Sequence, residues 1–140
     1  MYCIIAHEQK HFYDQIIIRS EVFLIEQNVP IKEEIDELDR EAIQFIVYDE
    51  DTPIGAARFR IIDNYGKIER VCVLKTYRNH GVGRLIMNTI EDYAKEEGIK
   101  QLKLSAQLTA LPFYQKLGYT AYGDIYLDAN IKHQMMKKDL

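Results

Sequence analysis

The sequence predicts an α+β fold: a mixed, mostly antiparallel sheet of about seven strands flanked by about four helices. Three observations carry this. Strand-like and helix-like runs alternate in the order strand, helix, three strands, helix, strand, helix, two strands. The central strand-like runs are joined by turn chemistry, Asp49-Glu50-Asp51-Thr52-Pro53 and Asp63-Asn64-Tyr65-Gly66, so they read as antiparallel neighbours. Two long stretches carry apolar residues at three- and four-residue spacing, the mark of amphipathic helices.

Each element follows in order. Tyr2 to Ala6 reads as the first strand. From Glu8 to Gln27 the pattern is helical, with Tyr13, Ile16, Ile17, Ser20 and Leu24 as the stripe expected to face the core, and Asn28-Val29-Pro30 ends it. Glu33, Glu34, Asp36, Glu37, Asp39 and Glu41 then form an acidic patch, read as solvated surface or as an acidic lip for a cationic substrate. Phe45 to Tyr48, Ile54 to Ile62 and Lys67 to Leu74 are the next three strands. Simple alternation on the last puts Ile68, Arg70, Cys72 and Leu74 on one face and Glu69, Val71 and Val73 on the other. A second long helix runs from Gly83 to Glu97, with Val82, Leu85, Ile86, Ile90, Tyr93 and Ala94 as its apolar stripe and Gly98 as its stop. Leu102, Leu104 and Ala106 alternate in a fifth strand, and Ala110 to Leu117 is a short helix ended by Gly118. Tyr119 to Tyr126 and Ile131 to Lys138 close the chain as a hairpin.

The 140 residues suit one domain, 1–140, and are too few for two. A charged share of 29% beside 47% apolar residues places the chain among folded rather than disordered sequences. A net charge of −4 provides no basic stripe, so nucleic acid is not an expected partner. No apolar run approaches the roughly 20 residues that span a bilayer. Met1 leads straight into a strand-like run rather than a leader, so a cytoplasmic protein without a membrane partner is expected. Cys3 and Cys72 show no paired spacing, which leaves a disulfide framework or zinc ribbon unsupported.

The chemistry concentrates at Arg78-Asn79-His80-Gly81-Val82-Gly83, between the fourth strand and the second long helix. Glycines two apart let the backbone turn sharply, and the helix behind them aims free N–H groups and its positive dipole end at the turn. That is an anion site suited to a phosphate, with Arg78 and Arg84 on either side. It is not a P-loop, since no Gly-Lys-Ser/Thr follows. Nor is it a dinucleotide fingerprint, since Ile86 stands where the third glycine belongs. Taken alone, it also fits a plain strand-to-helix turn.

Arg78, Gly81 and Gly83 match the cofactor-binding pattern Arg/Gln-x-x-Gly-x-Gly/Ala, and Ala110-Leu111-Pro112-Phe113-Tyr114-Gln115-Lys116-Leu117-Gly118-Tyr119 looks like a second signature about thirty residues on. On these motifs the whole chain resembles the GNAT acetyltransferase superfamily. Arg19-Ser20-Glu21-Val22-Phe23, Glu26-Gln27-Asn28-Val29-Pro30, Glu34-Ile35-Asp36-Glu37-Leu38-Asp39, Leu104-Ser105-Ala106-Gln107 and Ile131-Lys132-His133 narrow it to the ElaA/YjcF-like branch. Gln44 departs from that branch, where a histidine is expected, so it is given no acceptor role.

The resemblance implies a GNAT-like fold and an N-acetyltransferase that moves the acetyl group of acetyl-CoA to a primary amine, on a small molecule or a peptide, by direct attack on the thioester. It implies that backbone N–H groups of Asn79, His80, Gly81, Val82, Gly83 and Arg84 cradle the CoA pyrophosphate. Arg78, Gln107 and Phe113 are further cofactor contacts. The pantetheine arm would pair with the strand near Val71, Cys72 and Val73, the Val73 N–H facing the thioester oxygen. Tyr114 takes the family's acid position; the alternative is a packed aromatic. Glu69 is the expected base, with Asp36 or Asp39 as substitutes; the alternative is an ion-paired strand glutamate. Arg19, Glu21, Asp36 and Asp39 are expected on the acceptor side. A homodimer is common in such a fold.

Two other readings compete. A non-catalytic acyl-CoA binding or sensing module would keep the glycine loop without turnover. His7-Glu8-Gln9-Lys10-His11 matches the zinc-peptidase pattern His-Glu-x-x-His, but straddles a strand end and a helix start, so no metal is expected there.

Overall fold

The computed structural model describes residues 1–140. Seven strands form one sheet: β1 (Tyr2–Ile5), β2 (Ile43–Asp49), β3 (Thr52–Ile62), β4 (Tyr65–Val73), β5 (Gln101–Gln107), β6 (Thr120–Asp128) and β7 (Ile131–Asp139). Their order is β1-β2-β3-β4-β5-β7-β6. Every neighbouring pair is antiparallel except β4 and β5. A parallel pair needs a crossover, and helix α3 (Val82–Glu96) supplies it. The other helices are α1 (Gln9–Arg19), α2 (Ile31–Glu34) and α4 (Leu111–Lys116).

The main core lies where α3 crosses the sheet. Val82, Ile86, Met87, Ile90 and Ala94 are buried against Phe45, Phe59, Ile68, Leu102 and Leu104. Each such large aliphatic side chain contributes about 1.5–3 kcal/mol of transfer free energy. A smaller cluster of Ile18, Val22, Ala56 and Cys72 lies under α1, on the opposite face.

The expected stripe of α1 is overturned. Tyr13, Ile16 and Ile17 point to solvent, whereas Gln15, Ile18, Arg19 and Val22 face inward. Polar bonding sets this rotation. Gln15 Nε2 donates to Gln44 Oε1 at 2.8 Å, and Arg19 donates to Glu34 and Asp39 at 2.6 Å each. Hydrophobic spacing alone cannot register a helix face held by buried hydrogen bonds. The helix continues to Glu26 as wider π-helical turns over Ser20–Glu26.

The acidic patch is solvated surface only in part. It folds into α2 and a 3₁₀ turn over Glu37–Arg40, and its carboxylates meet arginines from three other elements. Arg19 pairs with Glu34 and Asp39. Arg58 pairs with Asp36, Asp39 and Glu69. Arg60 pairs with Glu69 and Arg70 with Glu34 and Asp36, so four arginines balance four carboxylates. Glu33, Glu37 and Glu41 remain at the surface.

Alternation along β4 also fails, because the strand is bulged. Arg58 lies opposite Glu69 and Ala56 opposite Cys72, leaving Arg70 and Val71 to face the single residue Ala57. Arg70 takes φ 56°, the left-handed region. The extra residue exchanges the faces. Ile68 and Val71 both pack on the main core, while Cys72 joins the α1 side and Glu69 meets Arg58 there.

Candidate active site

The bulge sits where β4 and β5 part. Their pairing runs only from Gly66↔Leu102 to Ile68↔Leu104, whereas β5 stays paired with β7 along its whole length. The gap opens into a cavity of about 450 Å³. Glu69, Arg70 and Val71 of β4 form one wall, and Ser105, Ala106 and Gln107 of β5 the other. Tyr114 of α4, Phe23 and Gln27 after α1, and Tyr126 and His133 of the last hairpin complete it. Gln107 Nε2 donates to Gln27 Oε1 at 2.9 Å, tying β5 to the end of the first helix across the opening.

Past the bulge the backbone of β4 serves the gap. The Leu74 N–H donates to Ile54 C=O on β3, so by alternation the Val73 N–H points to the opposite edge, which β5 has left. The Cys72 side chain does not share this edge. It is buried under α1, and burial pushes its thiol up to about 12. Only its backbone can meet a ligand.

The glycine loop has the expected form. Asn79 and Gly81 adopt φ 65° and 82°, and an added Cβ at Gly81 would meet nothing within 4 Å. Gly81 is thus required by conformation. At Gly83 an added Cβ would lie 2.9 Å from the tip of the partly exposed Phe113 ring, which would have to shift to admit it. No side chain caps α3, so its first N–H groups stay available to an anion. Arg78 is not the free cation expected. It forks onto Glu26 at 2.6 Å through both Nη atoms and donates from Nε to Val73 C=O at 2.9 Å. The exposed Arg84 has no such partner, and His80 Nδ1 bonds the Arg78 carbonyl at 2.7 Å.

Tyr114 is 8% exposed, its ring set edge-on to Phe113 and Tyr119. Its hydroxyl has no protein partner, yet no fully buried side-chain polar atom is unpaired, so that hydroxyl looks into the cavity. Burial, with a smaller effect of Cys72, raises its pKa and keeps it protonated. Glu69 is in the wall but heavily engaged, accepting from Arg60 Nε at 2.6 Å and Arg58 Nε at 3.2 Å. Burial alone would raise its pKa, but Arg60 and then Arg58 and Lys67 outweigh it and hold the carboxyl below its usual value. A carboxylate so stabilised takes up a proton less readily than a free glutamate.

Arg19, Asp36 and Asp39 lie within the ion-pair network rather than on the cavity wall, and Glu21 is exposed on the π-helical turns. Gln44 is buried beside them, donating to Asp39 Oδ1 at 3.3 Å. Phe113 touches the glycine loop rather than the cavity. Sequence reasoning missed Arg70, Tyr126 and Phe23 as wall residues and gave His133 no role in the site. The bulge and the hairpin register that place them have no local sequence signal. The His-Glu-x-x-His run is a helix cap. His11 Nδ1 accepts from the His7 and Glu8 N–H groups at 3.2 and 3.3 Å, and no group of three metal-ligating side chains gathers anywhere in the fold.

The Acetyltransferase (GNAT) domain family matches residues 7–140. The uncharacterized N-acetyltransferase YjcF of Bacillus subtilis (strain 168) is 46% identical over 140 residues, 99% of this chain and 100% of that protein. The crystal structure of Escherichia coli ElaA is similar with a TM-score of 0.86 at 26% identity, covering 99% of each chain. An acyl-CoA N-acyltransferase from Pseudomonas aeruginosa gives a TM-score of 0.83 at 25% identity, covering 97% of this chain and 96% of that one. With the splayed strands, the open helix N-terminus and the Tyr114 hydroxyl all inside the matched region, the chain belongs to the GNAT acetyltransferase family.

Proposed function

We propose that this protein acetylates a primary amine, on a small molecule or peptide, with acetyl-CoA as donor. The observation that carries the reading is the Tyr114 hydroxyl, unpaired in a gap that also opens beside the Val73 N–H of β4. The residues fit the donor: Gly81 supplies the left-handed turn, the uncapped α3 the N–H groups for a pyrophosphate, and Arg84 a nearby charge. The naming of the Pseudomonas aeruginosa neighbour as an acyl-CoA N-acyltransferase supports the same donor class.

When bound, acetyl-CoA supplies an acetyl thioester open to attack at its carbonyl carbon. Val73 N–H faces the carbonyl oxygen as charge develops there; a preorganised donor of this kind is worth about 3–4 kcal/mol. Tyr114 gives its hydroxyl proton to the departing sulfur. Glu69 remains ionised and supplies negative potential toward an incoming ammonium, while Arg58 and Arg60 fix its position. Two free thiols suit a reducing cytoplasm.

The test is thiol release from acetyl-CoA in the presence of a panel of primary amines. Multiple turnovers are expected, with Tyr114→Phe lowering kcat by about 100-fold while acetyl-CoA affinity is kept. Release that never exceeds one equivalent per protein would favour a binding or sensing module instead.

A further inference from the structure

We propose that His133 is the general base of this transfer, an inference that rests on the acetyltransferase reading above. An acceptor amine with a pKa of about 10.4 is almost wholly protonated at neutral pH, so its nitrogen must lose a proton before it can attack. Of the carboxylates near the gap, four are held by arginines, while Glu33 and Asp128 are exposed and have no hydrogen bond that orients them. Glu69 is held by Arg58 and Arg60, Glu34 by Arg19, and Asp36 and Asp39 by Arg58.

His133 is different. It lies on β7 opposite Gln107 of β5 and lines the same cavity as Tyr114. Its Nδ1 is 2.7 Å from the carbonyl oxygen of Ile131. A carbonyl has no proton to give, so Nδ1 must carry the hydrogen, and in the neutral ring the lone pair is on Nε2. No protein group bonds Nε2. The ring stacks on Tyr126 with centroids 6.0 Å apart and planes 23° from parallel. Tyr126 is itself held by hydrogen bonds to Ser105 and, at 3.4 Å, to the Met135 sulfur. Tautomer and ring plane are therefore both set before any substrate arrives, as a base requires.

The surroundings are mixed in charge. On β5 the facing residue is the neutral Gln107, and on β6 it is Tyr126. Across the cavity stand Lys67, Glu69 and Arg70 of β4 and Glu33 and Glu34 of α2. Tyr114 of α4 and Asp128 at the hairpin turn complete the titratable groups.

The proton balance is complete with these groups. His133 Nε2 takes one proton from the ammonium, freeing the nitrogen lone pair to bond the acetyl carbon. The carbon–sulfur bond breaks with its electron pair on sulfur, which receives the Tyr114 proton. Tyr114 recovers a proton from the acylated nitrogen, and His133 releases its own to water.

Wild type, His133→Gln and His133→Ala would be assayed with two probes, a strongly basic alkylamine and hydroxylamine, which is largely unprotonated at neutral pH. Acetyl-CoA binding would be followed separately by calorimetry. We expect unchanged acetyl-CoA affinity, a loss of about 100-fold or more on the alkylamine, near-normal rates on hydroxylamine, loss of the acid limb of the pH–rate profile, and partial rescue of His133→Ala by added imidazole. Equal loss on both probes, or full activity on both, would overturn the proposal while leaving the transferase reading intact. Transfer to neither probe by wild type would overturn the transferase reading itself.

Discussion

Replacing Arg58 by methionine tests whether the ion-pair network holds the acceptor side of the fold together. The Arg58 side chain is 1% exposed and reaches Asp36 at 2.7 Å, Asp39 at 3.1 Å and Glu69 at 3.2 Å. Removing one member of a buried charge cluster costs about 3–5 kcal/mol, because its partners are left desolvated and short of counter-charge. Two of the partners keep good contacts here: Asp39 retains Arg19 and Glu69 retains Arg60, both at 2.6 Å. Asp36 retains Arg70 at 3.4 Å as its one ion pair, with the Leu38 N–H donating at 3.0 Å. The loss should therefore fall near the lower bound, about 3 kcal/mol. At about 2.1 cal/mol/K of unfolding entropy per residue, that lowers the Tm by roughly 10 °C. Methionine keeps most of the apolar stem, so packing is largely conserved. Thermal and urea unfolding of both proteins give the answer, and a Tm drop under about 2 °C with an unchanged urea slope would refute the reasoning.

Three other outcomes follow from the same structure. Burial alone would raise the Asp39 carboxyl, but hydrogen bonds and charge from Arg19 and Arg58 hold it at about 2, from an ordinary 3.8. A depressed carboxylate stabilises the fold above its unfolded pKa, and that contribution, about 2 kcal/mol, is lost as pH falls from near 4 to 2; Asp39→Asn should flatten this limb of a stability–pH curve. Gly83→Ala brings a methyl within 2.9 Å of the tip of the partly exposed Phe113 ring, which must shift, while alanine gains about 1 kcal/mol of helix propensity over glycine; a net change within about 1 kcal/mol is expected by chemical denaturation, and a larger loss would show that Phe113 is held rigidly. His11→Ala removes the acceptor for two N–H groups at the start of α1 and should cost about 1 kcal/mol, with no response to added zinc or chelator.

Much of this fold is legible without coordinates because its signals are local. Alternation in Leu102, Leu104 and Ala106, the stripe of α3, and the turn residues between the central strands all depend on near neighbours. The glycine loop is legible for the same reason, whereas Tyr114 is singled out by the resemblance of its segment to the family's second signature. What escapes is made by distant partners. Arg19 meets Asp39 twenty residues on, and Arg58 meets Asp36 from another strand, so part of a run that reads as surface charge becomes a buried network. The bulge at Arg70 has no glycine or asparagine to mark it, and it moves Glu69 to the other face. His133 gains its meaning from a backbone carbonyl, a stacked tyrosine and a strand neighbour, none of which its own segment announces.

Calorimetric titration of the folded wild-type chain with acetyl-CoA tests most directly whether the gap between β4 and β5 and the open end of α3 form a donor site. Saturable binding of one equivalent in the micromolar range, displaced by excess CoA, is the predicted result. Absence of binding to a chain that is folded by circular dichroism would contradict it, and the glycine loop would then be only a turn.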